Sequence, residues 1–204
     1  MAGGGDLGRG EAVVTSTLVL ASTSPQRRAI LEQLRIPFEL AEPRYVEHDP
    51  PDADPVSLVR EHALGKARSV HEAGRITLGV DTTVHLGQRV YAKPSGEDEA
   101  RAMLRDLAGR THVVVSGVCL ITPEGETVQH AGTRVAFRLL AEPELDRYVA
   151  SGEWRGRAGG YAIQGLGASL VARIEGDYLN VVGLPAALLV RLLAERFPGT
   201  YGVG

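Results

Sequence analysis

The chain has 204 residues, 44% hydrophobic and 23% charged, which is enough to bury a core in one domain or two closely packed lobes. A formal net charge of −3 argues against a nucleic-acid polymer or an anionic membrane as the main partner, although a small phosphate ligand needs only local positive charge. Aromatic residues at 5% are too few for a platform that stacks single-stranded bases.

Met1 to Ser16 is glycine-rich, lacks a hydrophobic signal core and reads as a flexible tail, with a single folded domain expected over 17–204. The apolar run Leu18 to Ala21 predicts a strand. It breaks into Ser22-Thr23-Ser24-Pro25 and then a helix, with Ser24 at the N-cap and Pro25 at the first helical position. Free N–H groups and the positive end of the helix dipole suit a phosphate at such a start. Arg27 in the first turn has the wrong sign for helix stability and the right sign for an anion. A capped helix start that binds nothing is the plain alternative.

Phe38 to Ala41 reads as a short strand, followed by an acidic, proline-rich loop over 42–55 that holds Glu47. The spacing of Val56, Val59, Ala63, Ala67 and Val70 predicts a helix over 56–73, with Lys66 off the Val56 meridian and towards the flank. Ile76 to Val80 predicts a strand ending at Asp81, and Gly87-Gln88 a hairpin between 83–86 and 90–92. Ser95 is the expected cap of a helix to Leu107, with Asp98 at the capping-box position. Two antiparallel strands, 113–121 and 128–139, follow around Pro123-Glu124-Gly125. Then come a helix over 142–150, a glycine-dense segment over 152–167, a strand over 170–174 and a closing helix over 185–197. The alternation indicates an α/β or α+β class.

An acid at a strand end, with Lys93 across the predicted hairpin, suits a metal-bound phosphate; a turn Asp and a solvated Lys is the plain alternative. Gln164, between glycines, can donate and accept at once and so could read a base edge, or could simply cap a turn. The lone Cys119, inside an apolar run, is expected to be an inert core thiol. The six histidines show no zinc-type spacing, and no apolar run approaches the ~20 residues of a membrane span, so the cytoplasm is the expected compartment.

Seven segments in order give a resemblance: LVLASTSPQRRAIL, YVEHDP, GKA at 65–67, GVDTTV at 79–84, AKP at 92–94, GGYAIQGLG at 159–167 and GDYLNVVGLP at 176–185. Together they resemble the Maf-like nucleotide pyrophosphatases, over nearly the whole chain from Thr17 to Phe197. The resemblance implies hydrolysis of a nucleoside triphosphate between the α and β phosphates. It also implies a mixed α/β fold akin to the inosine-triphosphatase group: a curved mixed sheet flanked by helices, two lobes and a central cleft.

By position, Ser22, Ser24 and Arg27 would form the phosphate turn and Lys66 and Lys93 the two family lysines. Glu47 and Asp81 would be the acids of a site for a divalent metal cation, Mg²⁺ or Mn²⁺, with Asp81 as general base. Thr82 and Gln164 match the branch that prefers dTTP and UTP, whereas Gln26, where many members carry Arg, departs from the pattern. The implied partners are a nucleoside triphosphate substrate and, in a homodimer, a second copy of the chain. The alternative is a non-catalytic nucleotide-binding regulator of septum formation. A serine hydrolase using Ser24 is disfavoured, because Ser-Thr-Ser-Pro is not a Gly-x-Ser-x-Gly elbow.

Overall fold

Leu18–Ala21 forms strand β1, buried along its whole length because it runs in the middle of a sheet whose two faces are covered. The computed structural model of the chain describes residues 17–50 and 53–202; the segment expected to be a flexible tail lies outside them. Helix α1 (Pro25–Gln33) starts as expected, with the Ser24 side chain accepting from the Arg27 N–H and Pro25 in the first turn. After β2 (Phe38–Ala41) and the acidic loop comes α2 (Pro55–Val70), which begins one residue early because Asp54 caps it, accepting from the Ser57 N–H at 2.8 Å.

The first clear correction concerns β3. It runs unbroken from Ile76 to Leu86, so Asp81 lies in the middle of a strand, not at its end. Its polar residues stay in the ladder because Thr82 and Thr83 are β-branched and because Asp81 is met by side chains of α2. The strand then turns into β4 (Arg89–Tyr91) through the expected hairpin.

Helix α3 (Glu97–Leu107) starts after Gly96, not at Ser95. Consequently Glu99, rather than Asp98, folds back to accept from the Ser95 N–H and hydroxyl, at 2.7 and 2.6 Å. Strands β5 (Thr111–Thr122) and β6 (Gly125–Phe137) pair over twelve positions. They are followed by α4 (Glu142–Ser151), two 3₁₀ turns at Ala158–Gly160 and Gly165–Leu170, β7 (Val171–Glu175), α5 (Tyr178–Val182) and α6 (Ala186–Arg196). The short α5 was not foreseen.

The seven strands form one mixed sheet, ordered β2-β1-β3-β5-β6-β7 with β4 appended to β3. β1 is parallel to β2 and β3, and the remaining pairs are antiparallel. One apolar cluster gathers α1, α6, β1, the first half of β3 and the second half of β5; a second gathers α3, α4, the far ends of β3 and β6 and the start of β5. These are the two lobes, and β3 runs from one to the other. Asp81 to Val84 therefore sit where the lobes part. No described helix is long and apolar enough to cross a membrane.

On the other face, α2 lies unusually close to the sheet. A Cβ at Gly79 would strike the carbonyl oxygen of Ala63, and one at Gly117 that of Val59. Gly117 is the register partner of Asp81. The two glycines let the helix backbone settle onto β3 and β5, and this contact brings α2 side chains within reach of Asp81.

Candidate functional site

Three adjoining cavities follow the junction of the lobes. The main cleft, of about 360 Å³, is bordered by Ser22 to Arg27, Glu47, Lys66, Thr82, Lys93, Arg157 and Gly183. A deeper recess of about 120 Å³ beside it reaches His62 and Asp81, and a side cavity of about 280 Å³ holds Gln164. Arg27, Lys66, Lys93 and Arg157 border the main cleft against one acid, Glu47, so its charge suits a polyanion.

The turn before α1 is built from its own hydroxyls. Ser22 Oγ accepts from the Ser24 N–H at 3.1 Å, and Ser24 Oγ donates to the Gln26 side-chain carbonyl at 3.2 Å. Arg27 crosses beneath this turn. Its Nε donates to the Gly183 carbonyl at 2.9 Å, and its two terminal nitrogens donate to Ser22 Oγ and Thr82 Oγ1 at 3.3 and 3.2 Å. All three acceptors are neutral, so the guanidinium is fixed in place while, among the described residues, no direct ion pair compensates its charge. Burial works against that charge, and the nearby Asp81 and Glu47 support it.

The second part of the site hangs from α2. Its buried stripe runs Pro55, Leu58, Val59, His62, Ala63, Lys66 and Ala67. Lys66 therefore lies on the face pressed to the sheet, a correction to the flank position expected from the Val56 meridian; Val56 itself is only partly buried. Lys66 Nζ bridges Asp81 Oδ1 and Glu47 Oε1, at 2.5 Å from each. His62, one turn earlier, places Nδ1 at 3.6 Å from Asp81 Oδ2.

Burial alone would raise the Asp81 carboxyl, but the His62 ring 3.6 Å away and the Lys66 and Arg27 charges overcome it and hold the group well below the usual carboxylate range. The same contact with Asp81 raises His62 against its own burial. Glu47 is set over this pair by its loop: Tyr45, two residues before it, lays its ring where a side chain at Gly65 would otherwise stand.

Glu47, His62 and Asp81 form a group that could hold a metal ion, with ligand atoms all within 4.8 Å of one another. Two carboxylates facing a phosphate-sized cleft are the donor set that hard divalent cations take, so the residues present fit such an ion.

The residues singled out in the sequence thus come together in most cases. Ser22, Ser24, Gln26, Arg27, Glu47, Lys66, Thr82 and Lys93 share the main cleft, with Asp81 in the recess behind it. Gln164 lies apart in the side cavity, which it shares with Gln26 but not with Thr82. The Thr82 hydroxyl is engaged by Ser116 at 2.8 Å and by Gly183 and Arg27, at the phosphate turn. His62, Tyr45, Arg157 and Gly183 were not singled out. The four-residue step from His62 to Lys66 was a usable signal for the first; nothing local marks the others. Cys119 is buried, and its burial pushes the thiol up to about 12, as befits a core residue.

Residues 17–196 match the family model described as Maf-like protein. Among the relatives, a protein of Nitratidesulfovibrio vulgaris named dTTP/UTP pyrophosphatase is 48% identical over 184 residues, covering 88% of this chain and 87% of its own. Proteins of the same name from Brucella abortus and Deinococcus radiodurans are 45% and 43% identical, covering 89% and 91% of this chain and 92% and 96% of theirs.

Proposed function

The chain belongs to the Maf-like family, and from that premise we propose that it is a nucleoside triphosphate pyrophosphatase preferring dTTP and UTP. It would cut between the α and β phosphates, leaving a nucleoside monophosphate and diphosphate. One observation carries this reading: a buried acid, Asp81, is bonded to Lys66 directly behind a hydroxyl-rich helix start that holds an unneutralised Arg27.

In this reading the triphosphate lies along the main cleft. Ser22, Ser24 and the first-turn N–H groups of α1 cradle phosphate oxygens, and Arg27, Lys66 and Lys93 spread the charge that develops on them. Asp81 orients a water and takes its proton as the water oxygen adds to phosphorus. The α–β bridging P–O bond then breaks, and the diphosphate departs with the bridging oxygen.

A carboxylate held so far down is a weak base in the empty site. A bound polyanion changes this, because it competes for Lys66 and adds negative charge beside Asp81; both effects raise its proton affinity when substrate is present. A divalent cation, Mg²⁺ or Mn²⁺, held by Glu47 and Asp81 would supply Lewis-acid charge to the phosphate oxygens.

The base end points into the side cavity, where the Gln164 amide offers a donor and an acceptor to a pyrimidine edge, with Gln26 at its mouth. The unit is taken to be one domain over 17–204, acting in the cytoplasm on free nucleotides. Phosphorus NMR of UTP incubated with the protein and Mg²⁺ tests the cleavage position. UMP and diphosphate are expected; UDP with orthophosphate would contradict it.

A further inference from the structure

None of the steps above uses His62, yet its surroundings require a positive charge. The ring is 2% exposed. Its Nε2 faces two acceptors, the His48 carbonyl at 3.3 Å and Asp49 Oδ1 at 3.5 Å. In a neutral imidazole the single ring proton therefore belongs on Nε2, an assignment made from the hydrogen-bond network.

The Nδ1 lone pair is then left 3.6 Å from a carboxylate oxygen, Asp81 Oδ2. Two electron pairs facing each other in a buried recess repel unless something positive stands between them. Lys66 does not fill that place, because it is bonded to the other oxygen of Asp81 and to Glu47 Oε1; a second ring proton or a metal ion would fill it.

We propose that His62 Nδ1 is a nitrogen ligand of a divalent cation that it shares with Asp81 Oδ2 and Glu47, and that it tilts the site towards Mn²⁺ over Mg²⁺. Two ligand atoms each about 2.1 Å from one ion stand up to about 4.2 Å apart, so the 3.6 Å between His62 and Asp81 fits. Glu47 sits on the exposed side, on a loop rather than a strand, and closes the set from above. The Nε2–H bond to a backbone carbonyl is the outer contact that metal-bound histidines use to fix their tautomer. Mn²⁺ sheds its waters and accepts an imidazole nitrogen more readily than Mg²⁺, which takes oxygen donors and retains its waters.

The use of the ion rests on the pyrophosphatase reading, but its ligation is measured without nucleotide. The full chain is loaded with Mn²⁺ and examined by pulsed EPR, and Mn²⁺ and Mg²⁺ dissociation constants are measured for the wild type and His62→Leu. A ¹⁴N coupling in the wild type that vanishes in the variant is expected. So is a loss of Mn²⁺ affinity of about tenfold or more, with a much smaller change for Mg²⁺.

Absence of nitrogen coupling in the Mn²⁺-loaded wild type, or an unchanged Mn²⁺-to-Mg²⁺ affinity ratio in the variant, overturns the assignment and leaves an imidazolium–Asp81 ion pair in its place. Should His62→Leu fail to fold, the wild-type spectrum decides alone. Diphosphate release without nitrogen coupling would sink the ligand and spare the pyrophosphatase reading. Nitrogen coupling without release from any nucleotide would support the ligand and sink that reading.

Discussion

At Asp81 burial and hydrogen bonding pull in opposite directions, and the partners win because Lys66 and His62 are held on the same helix face. Replacing the carboxylate by an amide keeps the shape and removes the base. Asp81→Asn is expected to lower kcat by about 10²–10⁴-fold while nucleotide binding stays detectable; wild-type turnover would remove Asp81 from the chemistry. In the side cavity, Gln164→Glu replaces a two-way amide by an acceptor-only group. The ratio of UTP to GTP turnover should fall in that variant, and an unchanged ratio would show that Gln164 does not face the base.

His112 is a different kind of buried group, remote from the recess. It packs edge-on against Phe137 and Tyr161 and lies 2.8 Å from the Tyr161 hydroxyl, and burial pushes it down to about 4. Its folded value is below the ~6.5 of an unfolded chain, so its contribution is complete above about pH 6.5 and is lost as pH falls towards 4. The full loss is on the order of 3 kcal/mol. Urea unfolding between pH 7.5 and 4 should show this slope in the wild type and a flatter one in His112→Gln. Equal slopes would exonerate His112.

The decisive element contact is α2 on β3 and β5, which depends on two glycines rather than on any charged group. Gly117→Ala would drive a methyl group into the Val59 backbone, lift α2 and move Lys66 and His62 off Asp81. It should cost about 1–3 kcal/mol in stability and most of the turnover. Gly132→Ala, whose methyl would meet only Val113 at an ordinary 3.6 Å, is the control and should be nearly silent. Equal behaviour of the two variants in thermal melts and turnover would refute the close-contact role.

This contact also explains what the sequence could not reveal. The period of α2 was readable, but its true buried stripe passes through His62 and Lys66, which an apolar count skips. The capped start of α1, by contrast, was fully readable, because Ser24, Pro25 and the Arg27 N–H make a local structure. The extent of β3 was not readable, since Asp81 stays in the ladder through partners fifteen and nineteen positions away in sequence.

Over the whole molecule, two apolar clusters share one sheet, and the cleft opens where β3 leaves one for the other. Its cations gather from four separate parts of the chain: Arg27 on α1, Lys66 on α2, Lys93 after β4 and Arg157 before the first 3₁₀ turn. Dispersed motifs in a fixed order made the family legible; the distances that assemble them did not exist until the fold did.

The most direct test of the central claim is diphosphate release from dTTP, UTP, CTP, GTP, N7-methyl-GTP and ITP, with Mg²⁺ or Mn²⁺ and an EDTA control. Metal-dependent release led by dTTP or UTP is the expected result. No release from any of the six, with nucleotide still bound, would contradict it and leave a binding protein in place of an enzyme.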